Sequence, residues 1–209
     1  MVDSKFNVIL WDFDGVILNS NEIRDFGFKI VLDKYPASQV DKLMKFHNEN
    51  GGLSRYVKFR YFFEEVRREK VTNEQINEWA DKFSFIMKKK LVNQDLIINE
   101  TVDFIKSNYS EINMHIVSGS DQNELRYICN ELDISKFFKS IHGSPTPKNE
   151  LVKLVLDKNN YIKRECVLVG DSINDYEAAK INKIKFFGYN NLELKEMSDY
   201  YIERFRNLF

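Results

Sequence analysis

The architecture of this chain can be predicted from one segment near its N-terminus, Lys5-Phe6-Asn7-Val8-Ile9-Leu10-Trp11-Asp12-Phe13-Asp14-Gly15. The segment begins as a nearly unbroken apolar run, which is typical of a short strand buried on both faces of a sheet. Two carboxylates follow where this strand ends. Because residues two apart in an extended segment project to the same side, Asp12 and Asp14 can share one site. Gly15 then allows the chain to turn away sharply.

Three later runs have the same apolar character and end at a glycine, or at a serine followed by glycine; they lie at 113–117, 166–169 and 184–187. Segments with helical spacing accompany them, at 121–132, 148–159 and 174–181. Strands that alternate with helices favour an α/β fold. We therefore expect a Rossmann-like parallel sheet with helices on both of its faces.

The segment 19–91 has a different pattern, since it lacks strand signals and is rich in helix formers. Aromatic residues recur there at helical spacing, and such stripes more often form the core of a helix bundle than a cofactor site. Pro36 marks a break between two of the helices. The sequence therefore predicts an all-helical domain at 19–91, inserted into a core domain made of 1–18 and 92–209.

Hydroxyl and glycine residues follow the second predicted strand. In an open parallel sheet, ligands bind at the carboxyl ends of the strands, where Ser118 and Gly119 stand. A serine hydroxyl and adjacent backbone N–H groups can hold a phosphate oxygen. The helix that starts near Asp121 adds the partial positive charge of its N-terminus. This pattern predicts a phosphate site at the end of the second strand.

The other strand ends carry groups suited to a hard cation. Asp12 and Asp171 supply carboxylate oxygens, which Mg²⁺ prefers together with water and phosphate oxygens. A loop at 143–147 leads to Lys148, whose charge, with the metal ion, would neutralise a transferring phosphoryl group. Lys153 is an alternative lysine, less well placed along the following helix. The sequence therefore predicts a magnesium site at which a phosphoryl group is transferred.

The closeness of Asp12 and Asp14 has a consequence for their protons, because two neighbouring carboxylates resist joint ionisation. A bound metal ion lowers the pKa of its ligand Asp12. Asp14 is then the better candidate to hold a proton, and the pair divides into a nucleophile and a proton donor.

Composition excludes several other classes of function. The 209 residues carry a net charge of −1, so no global field attracts nucleic acid or an anionic membrane. The two cysteines, Cys129 and Cys166, do not indicate a disulfide framework. No stretch approaches the ~20 apolar residues that span a bilayer. We expect a cytoplasmic protein whose partner is a small molecule; the oligomeric state is not predicted.

Four motifs stand in order along the chain: Asp12-x-Asp14-Gly15-Val16, Ser118, Lys148 and Gly170-Asp171-x3-Asp175. Together they resemble the motifs of the haloacid dehalogenase superfamily. The subgroup is similar to β-phosphoglucomutase and phosphoglycolate phosphatase, which carry a helical cap after the first motif. Each motif alone is weak, but each falls at a predicted strand end or loop. The resemblance implies a Mg²⁺-dependent phosphatase with an aspartyl-phosphate intermediate.

The resemblance also implies roles for the acidic residues. Asp12 would attack phosphorus as the nucleophile. Asp14 would protonate the leaving oxygen and then activate water, and its backbone carbonyl would join the metal ligands. Asp12 and Asp171 would bind Mg²⁺ through their side chains. Asp175 would not bind Mg²⁺ directly but would act on the metal site through water or through Lys148.

The phosphoryl group would be held by the remaining motif residues, on the same resemblance. Ser118 would bind one phosphoryl oxygen, and Lys148 would bridge Asp12 and the phosphoryl group. Backbone amides near Phe13 and Gly119 would complete the phosphate cradle.

Departures from related branches favour hydrolysis. Dehalogenases of this superfamily lack the second aspartate of the first motif, which is present here as Asp14. The similar sugar phosphomutases carry a histidine near the position of Arg24. Its absence favours a phosphatase, while a phosphotransferase or mutase acting on sugar phosphates stays the alternative. The intact motif residues argue against a third reading, a non-catalytic binding protein on this fold.

The helical insert resembles the cap of this subgroup, and a compact cap suits small phosphorylated metabolites such as sugar phosphates. Gly52 would lie in a flexible loop facing the site, and Arg55 would contact the leaving group of the substrate. Arg24, His47 and Lys58 are weaker candidates for the same role. The sequence does not predict which metabolite is the substrate.

Overall fold

A sheet of six parallel strands forms the centre of the computed structural model, which describes residues 6–208. The strand order is β3-β2-β1-β4-β5-β6. The strands are β1 Val8–Trp11, β2 Asn113–Asp121, β3 Ser140–Ser144, β4 Cys166–Gly170, β5 Lys185–Tyr189 and β6 Tyr200–Ile202. The predicted parallel sheet is thereby confirmed.

Strand β1 lies between two neighbours and is buried along its whole length. Val8 pairs with Asn113 of β2 on one side and with Cys166 of β4 on the other. A strand in this position needs apolar side chains on both faces, which explains the unbroken hydrophobic run.

Four helices flank the sheet: α5 Asn99–Asn108, α6 Gln122–Glu131, α7 Lys148–Lys158 and α8 Ile173–Asn182. Alternate residues of β1 pack on opposite layers, as the period of a strand requires. Ile9 and Trp11 pack in the cluster that includes residues of α5 and α6. Val8 and Leu10 pack in the cluster with α7 and α8. Helices on both faces were predicted and are confirmed.

The insert after β1 is helical, as predicted. Its helices are α1 Asn21–Val31, α2 Ala37–Glu49, α3 Arg55–Tyr61 and α4 Asn73–Leu91, with a π-helical turn at Phe62–Val66. The aromatic stripes form a core: the Phe28 ring centroid lies 5.3 Å from that of Phe59 and 4.5 Å from that of Phe83. Thr72 and Gln75 form a reciprocal capping box that begins α4. We call α1–α4 the cap.

Several predicted boundaries differ from the structure. The sequence prediction missed β3 and β6, and it treated 143–147 as a loop, whereas Gly143 and Ser144 end β3. Strand β2 extends beyond residue 117 to Asp121, with a shift of register against β3. Short 3₁₀ turns complete the chain at Gln94–Leu96, Ser135–Phe137, Lys163–Glu165, Leu192–Leu194 and Phe205–Asn207.

The division into core residues 1–18 and 92–209 and cap residues 19–91 stays a prediction, and residues 1–5 and Phe209 lie outside the described part. Within residues 6–208, no helix combines the length and apolar composition that crossing a bilayer requires.

Candidate active site

Asp12 lies directly after β1, is 3% exposed, and is the central carboxylate of the site. Its backbone N–H donates to the carbonyl of Val169 on β4 at 2.9 Å, which fixes its position at the strand end. Lys148 Nζ lies 2.8 Å from Asp12 Oδ1 as an ion-pair partner. Among the described residues no well-aligned hydrogen bond ends on this buried oxygen. Asp12 therefore has an oxygen available for another electropositive partner.

Three carboxylates lie close together at the carboxyl edge of the sheet. Asp12, Asp171 and Asp175 each offer an oxygen, and these atoms lie within 4.8 Å of one another. Burial, and then the Asp175 charge, raise the pKa of Asp12 to about 7 despite Lys148. Burial and the Asp12 charge raise the pKa of Asp171 well above its usual range. The mutual repulsion of these carboxylates, which Lys148 only partly offsets, fits a divalent cation with oxygen ligands.

Gly15 allows the carboxylate of Asp171 to lie close to the turn that follows β1. Its φ of +74° is in the region that favours glycine, and a Cβ there would lie 1.9 Å from Asp171 Oδ2. Asn21 Nδ2 donates to the same Asp171 oxygen at 3.2 Å, and Asn191 Nδ2 donates to the Asp171 carbonyl at 2.9 Å. The turn after β1, the first residue of α1 and the segment after β5 thus fix the orientation of Asp171.

Lys148 is the first residue of α7, where the predicted helical segment 148–159 begins. Its buried ammonium group contacts both Asp12 and Asp175. Burial alone would lower its pKa, but these two carboxylates raise the pKa above the usual range, so the charge is retained. Lys153, the alternative, is exposed further along α7.

Asp175 is tied to its neighbours through both oxygens. One accepts from Lys148 Nζ, and the other accepts from the backbone N–H and the hydroxyl of Ser172, at 3.0 and 2.6 Å. These contacts begin helix α8. Asp175 therefore positions Lys148. This is consistent with the expectation that Asp175 does not bind the metal ion directly.

Asp14 points toward the cap rather than toward the other carboxylates. It accepts from the hydroxyls of Ser20 and Ser120 and from Arg24 Nε, the last at 2.9 Å. Burial alone would raise its pKa, but the Arg24 charge and these hydrogen bonds lower it below its ordinary value. We expected Asp14 to be the better holder of a proton. Arg24 stabilises the ionised form of Asp14, and the expectation, which includes a metal ion bound to Asp12, stays a prediction.

Ser118 and Gly119 face the same cavity as Asp12. Ser118 Oγ accepts from the backbone N–H of Ser120 at 3.1 Å, so its own hydroxyl proton can be donated elsewhere. A Cβ at Gly119 would lie 2.0 Å from the carbonyl oxygen of Gly52. Only glycine permits this contact between the core and the cap loop.

Gly52 holds that loop in place. Its φ is +81°, and its carbonyl accepts from Asn174 Nδ2 of α8 at 3.0 Å. Tyr56 on the neighbouring helix α3 donates its hydroxyl to Asp121 Oδ2 of the core at 2.8 Å. The cap therefore sits over the strand ends in a closed arrangement.

Arg55 lies beside the cavity, but its guanidinium is already engaged. Its Nη2 donates to Glu124 Oε1 at 2.8 Å. Its Nη1 contacts the other carboxylate oxygen of Glu124 and also donates to Ser84 Oγ at 2.7 Å. Its guanidinium also covers the ring of Phe83 at 4.5 Å. The predicted contact between Arg55 and a leaving group stays a prediction, and the structure assigns Arg55 a partner in the core.

Sequence reasoning missed Ser20, Ser120 and Glu124. Glu124 holds Arg24 and Arg55 together, and these two guanidinium groups lower its pKa although burial alone would raise it. One signal could have identified Glu124, because it stands four residues before Ile128 on the apolar face of α6. A carboxylate on such a face needs a buried cation as partner.

A cavity of about 670 Å³ connects these groups, with core residues on one side and cap residues on the other. The core side carries Asp12, Ser118 and Asp171; the cap side carries Arg24, Asp25, His47 and Lys58. A small molecule fits in this space. The arrangement joins a buried carboxylate, a carboxylate cluster that could hold a metal ion and a buried lysine under a cover of helices.

Comparison with known proteins gives one family. The model described as haloacid dehalogenase-like hydrolase matches residues 9–189, which is most of the chain. No curated protein matches the chain in sequence.

Solved structures from several bacteria share the fold. A predicted phosphoglycolate phosphatase from Haemophilus somnus is 17% identical with a TM-score of 0.76, over 99% of this chain and 97% of that chain. A β-phosphoglucomutase from Clostridium difficile is 16% identical with a TM-score of 0.76, over 98% and 93%. A HAD-hydrolase from Bacillus subtilis, YfnB, described as bound to magnesium, is 14% identical with a TM-score of 0.72, over 98% and 97%. At these identities the likeness shows the fold alone.

Proposed function

The chain belongs to the haloacid dehalogenase-like hydrolases, and on that basis we propose that it is a Mg²⁺-dependent phosphatase of small phosphomonoesters, with Asp12 as the nucleophile. One observation carries the proposal. The buried carboxylate of Asp12 lies 2.8 Å from Lys148 Nζ and within 4.8 Å of oxygens of two further carboxylates. A carboxylate has two oxygens, so one can bind a cation while the other attacks phosphorus.

Mg²⁺ would be held by the side chains of Asp12 and Asp171 and by the backbone carbonyl of Asp14. When bound, the ion supplies positive charge that stabilises the oxygens of a transferring phosphoryl group. The YfnB structure described as bound to magnesium lends support, as does the mutual repulsion of the clustered carboxylates. Asp175 already has both oxygens engaged, so we assign it to positioning Lys148 rather than to the metal.

The first half of the reaction transfers the phosphoryl group to the protein. An oxygen of Asp12 forms a bond to phosphorus while the bond from phosphorus to the leaving oxygen breaks. Lys148 and Ser118 donate to phosphoryl oxygens, and the backbone N–H of Gly119 adds a further donor. Asp14 supplies the proton that the leaving oxygen needs.

The second half returns Asp12 to its initial state. Asp14, now ionised, accepts a proton from water, whose oxygen attacks phosphorus and displaces Asp12. The pKa of Asp14 is lowered by Arg24 and two serine hydroxyls, although burial alone would raise it, so its ionised form suits this step. A lowered pKa also leaves less of Asp14 in its acid form. The first step therefore favours a substrate whose leaving oxygen needs little protonation.

Water must be kept out until the leaving group has departed, and the closed cap supplies this protection. The contacts of Gly52 with Asn174 and of Tyr56 with Asp121 hold the cap against the strand ends. A cap that excludes large molecules is consistent with a small substrate.

Phosphate release from a panel of small phosphomonoesters, in Mg²⁺ and in chelator, tests the proposal. Asp12→Asn keeps the shape of the side chain but removes the nucleophile, so we expect a loss of at least about 1,000-fold in kcat. Asp157→Asn, at an exposed position on α7, is the matched control and should keep full activity.

Release that survives in chelator, or in Asp12→Asn, would contradict the covalent metal-dependent mechanism. Rapid transfer of the phosphoryl group to an added sugar, in preference to water, would favour the mutase alternative instead.

A further inference from the structure

We infer that the cap side of the cavity contains a subsite for a second oxyanion on the substrate, formed by Lys58 and Arg24 and held in place by His47 and Asp25. The inference rests on the proposed function and narrows its substrate class. The phosphoryl group is bound on the core side. The leaving group then carries a carboxylate or a second phosphate, which is bound on the cap side.

Three cap residues from separate helices form a hydrogen-bonded chain. Asp25 Oδ1 lies 2.7 Å from His47 Nε2, and His47 Nδ1 lies 2.6 Å from Lys58 Nζ. A carboxylate only accepts, so the ring proton sits on Nε2, and Nδ1 accepts from the ammonium group. The His47 ring packs against Phe28, with centroids 4.9 Å apart. The chain therefore fixes where Lys58 can direct its other protons.

Two buried cations on this side, Arg24 and Lys58, carry N–H groups beyond those that their hydrogen bonds use. Lys58 uses one of its three N–H groups on His47. Nη2 of Arg24 is buried and has no hydrogen-bond partner among the described residues. Arg24 and Lys58 are 7% and 4% exposed, so solvent does not satisfy them well. Unused donors on buried cations are matched by a ligand that accepts, and an oxyanion is the strongest such acceptor.

The charges around Lys58 also favour an anionic ligand. Burial is the largest of the effects that lower the pKa of Lys58 to about 7; the Arg24 and Arg55 charges also lower it, and the Asp14 and Asp25 charges raise it. The acidic neighbours of these cations have partners of their own: Asp25 accepts from His47, Asp14 from Arg24 and two serines, and Glu124 from Arg24 and Arg55. An incoming anion would relieve the mutual repulsion of the cations and hold Lys58 in its charged form.

Arg55, which sequence reasoning favoured for this role, is less suited to it. Its guanidinium is paired with Glu124 and Ser84, and removing either contact would leave a buried charge or hydroxyl unsatisfied. Lys58 and Arg24 line the same 670 Å³ cavity as Asp12, so one small molecule with an anion at each end can reach both sides.

Three matched phosphomonoesters test the subsite: phosphoglycolate, 2-hydroxyethyl phosphate and ethylene glycol bisphosphate. The first two have the same chain length and differ in a carboxylate against a neutral hydroxymethyl group. We expect the wild type to favour an acidic substrate by at least about tenfold in kcat/KM. Preference for the carboxylate or for the bisphosphate identifies which oxyanion the subsite takes.

Lys58→Met should remove most of that preference, whereas the control Lys42→Met, at an exposed position on α2, should keep it. His47→Leu should weaken the preference. His47→Asn should restore it in part, because the amide oxygen can again accept from Lys58. Equal kcat/KM for acidic and neutral substrates in the wild type would overturn the inference, as would a preference that Lys58→Met leaves intact.

Calorimetric binding separates this inference from the proposed function. Asp12→Asn protein should bind phosphoglycolate at least about tenfold more tightly than 2-hydroxyethyl phosphate, and the added Lys58→Met change should abolish the difference. That result with no hydrolysis in the wild type would support the subsite and refute the phosphatase proposal. Hydrolysis in the wild type without any difference in binding would support the phosphatase proposal and refute the subsite.

Discussion

At the scale of single residues, the ion pair between Arg24 and Asp14 controls the proton that the proposed reaction needs. Arg24 is buried and Asp14 is partly buried, and Arg24 Nε lies 2.9 Å from Asp14 Oδ1. Asp14 must hold a proton when it acts as an acid, and an adjacent guanidinium opposes this. Arg24 stands near the place where the similar mutases carry a histidine, whose charge can be removed by titration, whereas the charge of arginine cannot.

Arg24→Gln should therefore change the pH dependence of the first half-reaction. Without the guanidinium, the pKa of Asp14 rises, so its acid form persists to higher pH. We expect the phosphorylation rate with an alkyl phosphate to fall off about 1 to 3 pH units later than in the wild type. Single-turnover rates across a pH series measure this.

An aryl phosphate is the control for Arg24→Gln, because its phenolate leaves without a proton and its profile should move much less. Identical profiles for wild type and variant with the alkyl phosphate would show that Asp14 is not the acid, or that Arg24 does not set its pKa.

The positions of individual site residues were only partly predictable from sequence. Asp12, Lys148 and Asp171 stand at strand or helix ends, where the fold brings such groups together, and the structure places all three in one site. The partners of Asp14 could not be predicted. Ser20 and Arg24 come from the cap and Ser120 comes from β2, so their convergence depends on how the cap packs on the core.

At the scale of elements, Glu124 at the start of α6 joins two cap helices to the core. It pairs with Arg24 of α1 and with Arg55 of α3, and all three side chains are buried. Such a cluster is favourable only while it is complete, because removing one partner leaves uncompensated charge in a region of low polarity.

Glu124→Ala should accordingly destabilise the protein by about 3–5 kcal/mol, since it leaves two buried guanidinium groups without their anion. Glu131→Ala, at an exposed position on the same helix, is the matched control and should cost at most about 0.5 kcal/mol. Urea unfolding of both variants gives the free energies. Equal values for the two would mean that the cluster contributes nothing to stability.

The strands that were predicted and those that were missed differ in their place in the sheet. The central strands β1, β2 and β4 are buried on both faces, so their sequences are apolar runs that pattern alone can detect. The missed strands β3 and β6 are the two edges. Ser140–Ser144 contains one large apolar residue, and Tyr200–Ile202 is three residues long. Their conformation depends on pairing with a neighbouring strand, which a local pattern does not contain.

At the scale of the whole molecule, the proposed function depends on how closely the cap approaches the strand ends. Gly119 of β2 lies so near the carbonyl of Gly52 that a Cβ there would be 2.0 Å from that oxygen. Both the cap helices and the alternation of strands and helices were readable from the sequence. The closed arrangement was not, because it depends on contacts between segments far apart in the chain, such as Tyr56 with Asp121.

Gly119→Ala should hold the cap away from the core, because its Cβ would lie 2.0 Å from the Gly52 oxygen. We expect kcat/KM for the best substrate to fall roughly 10- to 100-fold, since a small displacement misplaces the groups that position the substrate. Urea unfolding should show that the fold persists.

Gly51→Ala is the control for this change, because a Cβ there would meet Ser172 Cβ at an ordinary 3.5 Å. A Gly119→Ala enzyme as active as Gly51→Ala would mean that close approach of the cap is not required.

The central claim for the whole molecule is that Asp12 carries the phosphoryl group during turnover. The most direct measurement is acid quenching of the Mg²⁺-loaded enzyme during hydrolysis of its best substrate, followed by mass analysis of the peptide that contains Asp12. We predict a phosphoryl adduct on Asp12 that hydroxylamine removes and that is absent in chelator and in Asp12→Asn. Steady hydrolysis with no adduct under any quench time, or an adduct on another residue, would contradict the account.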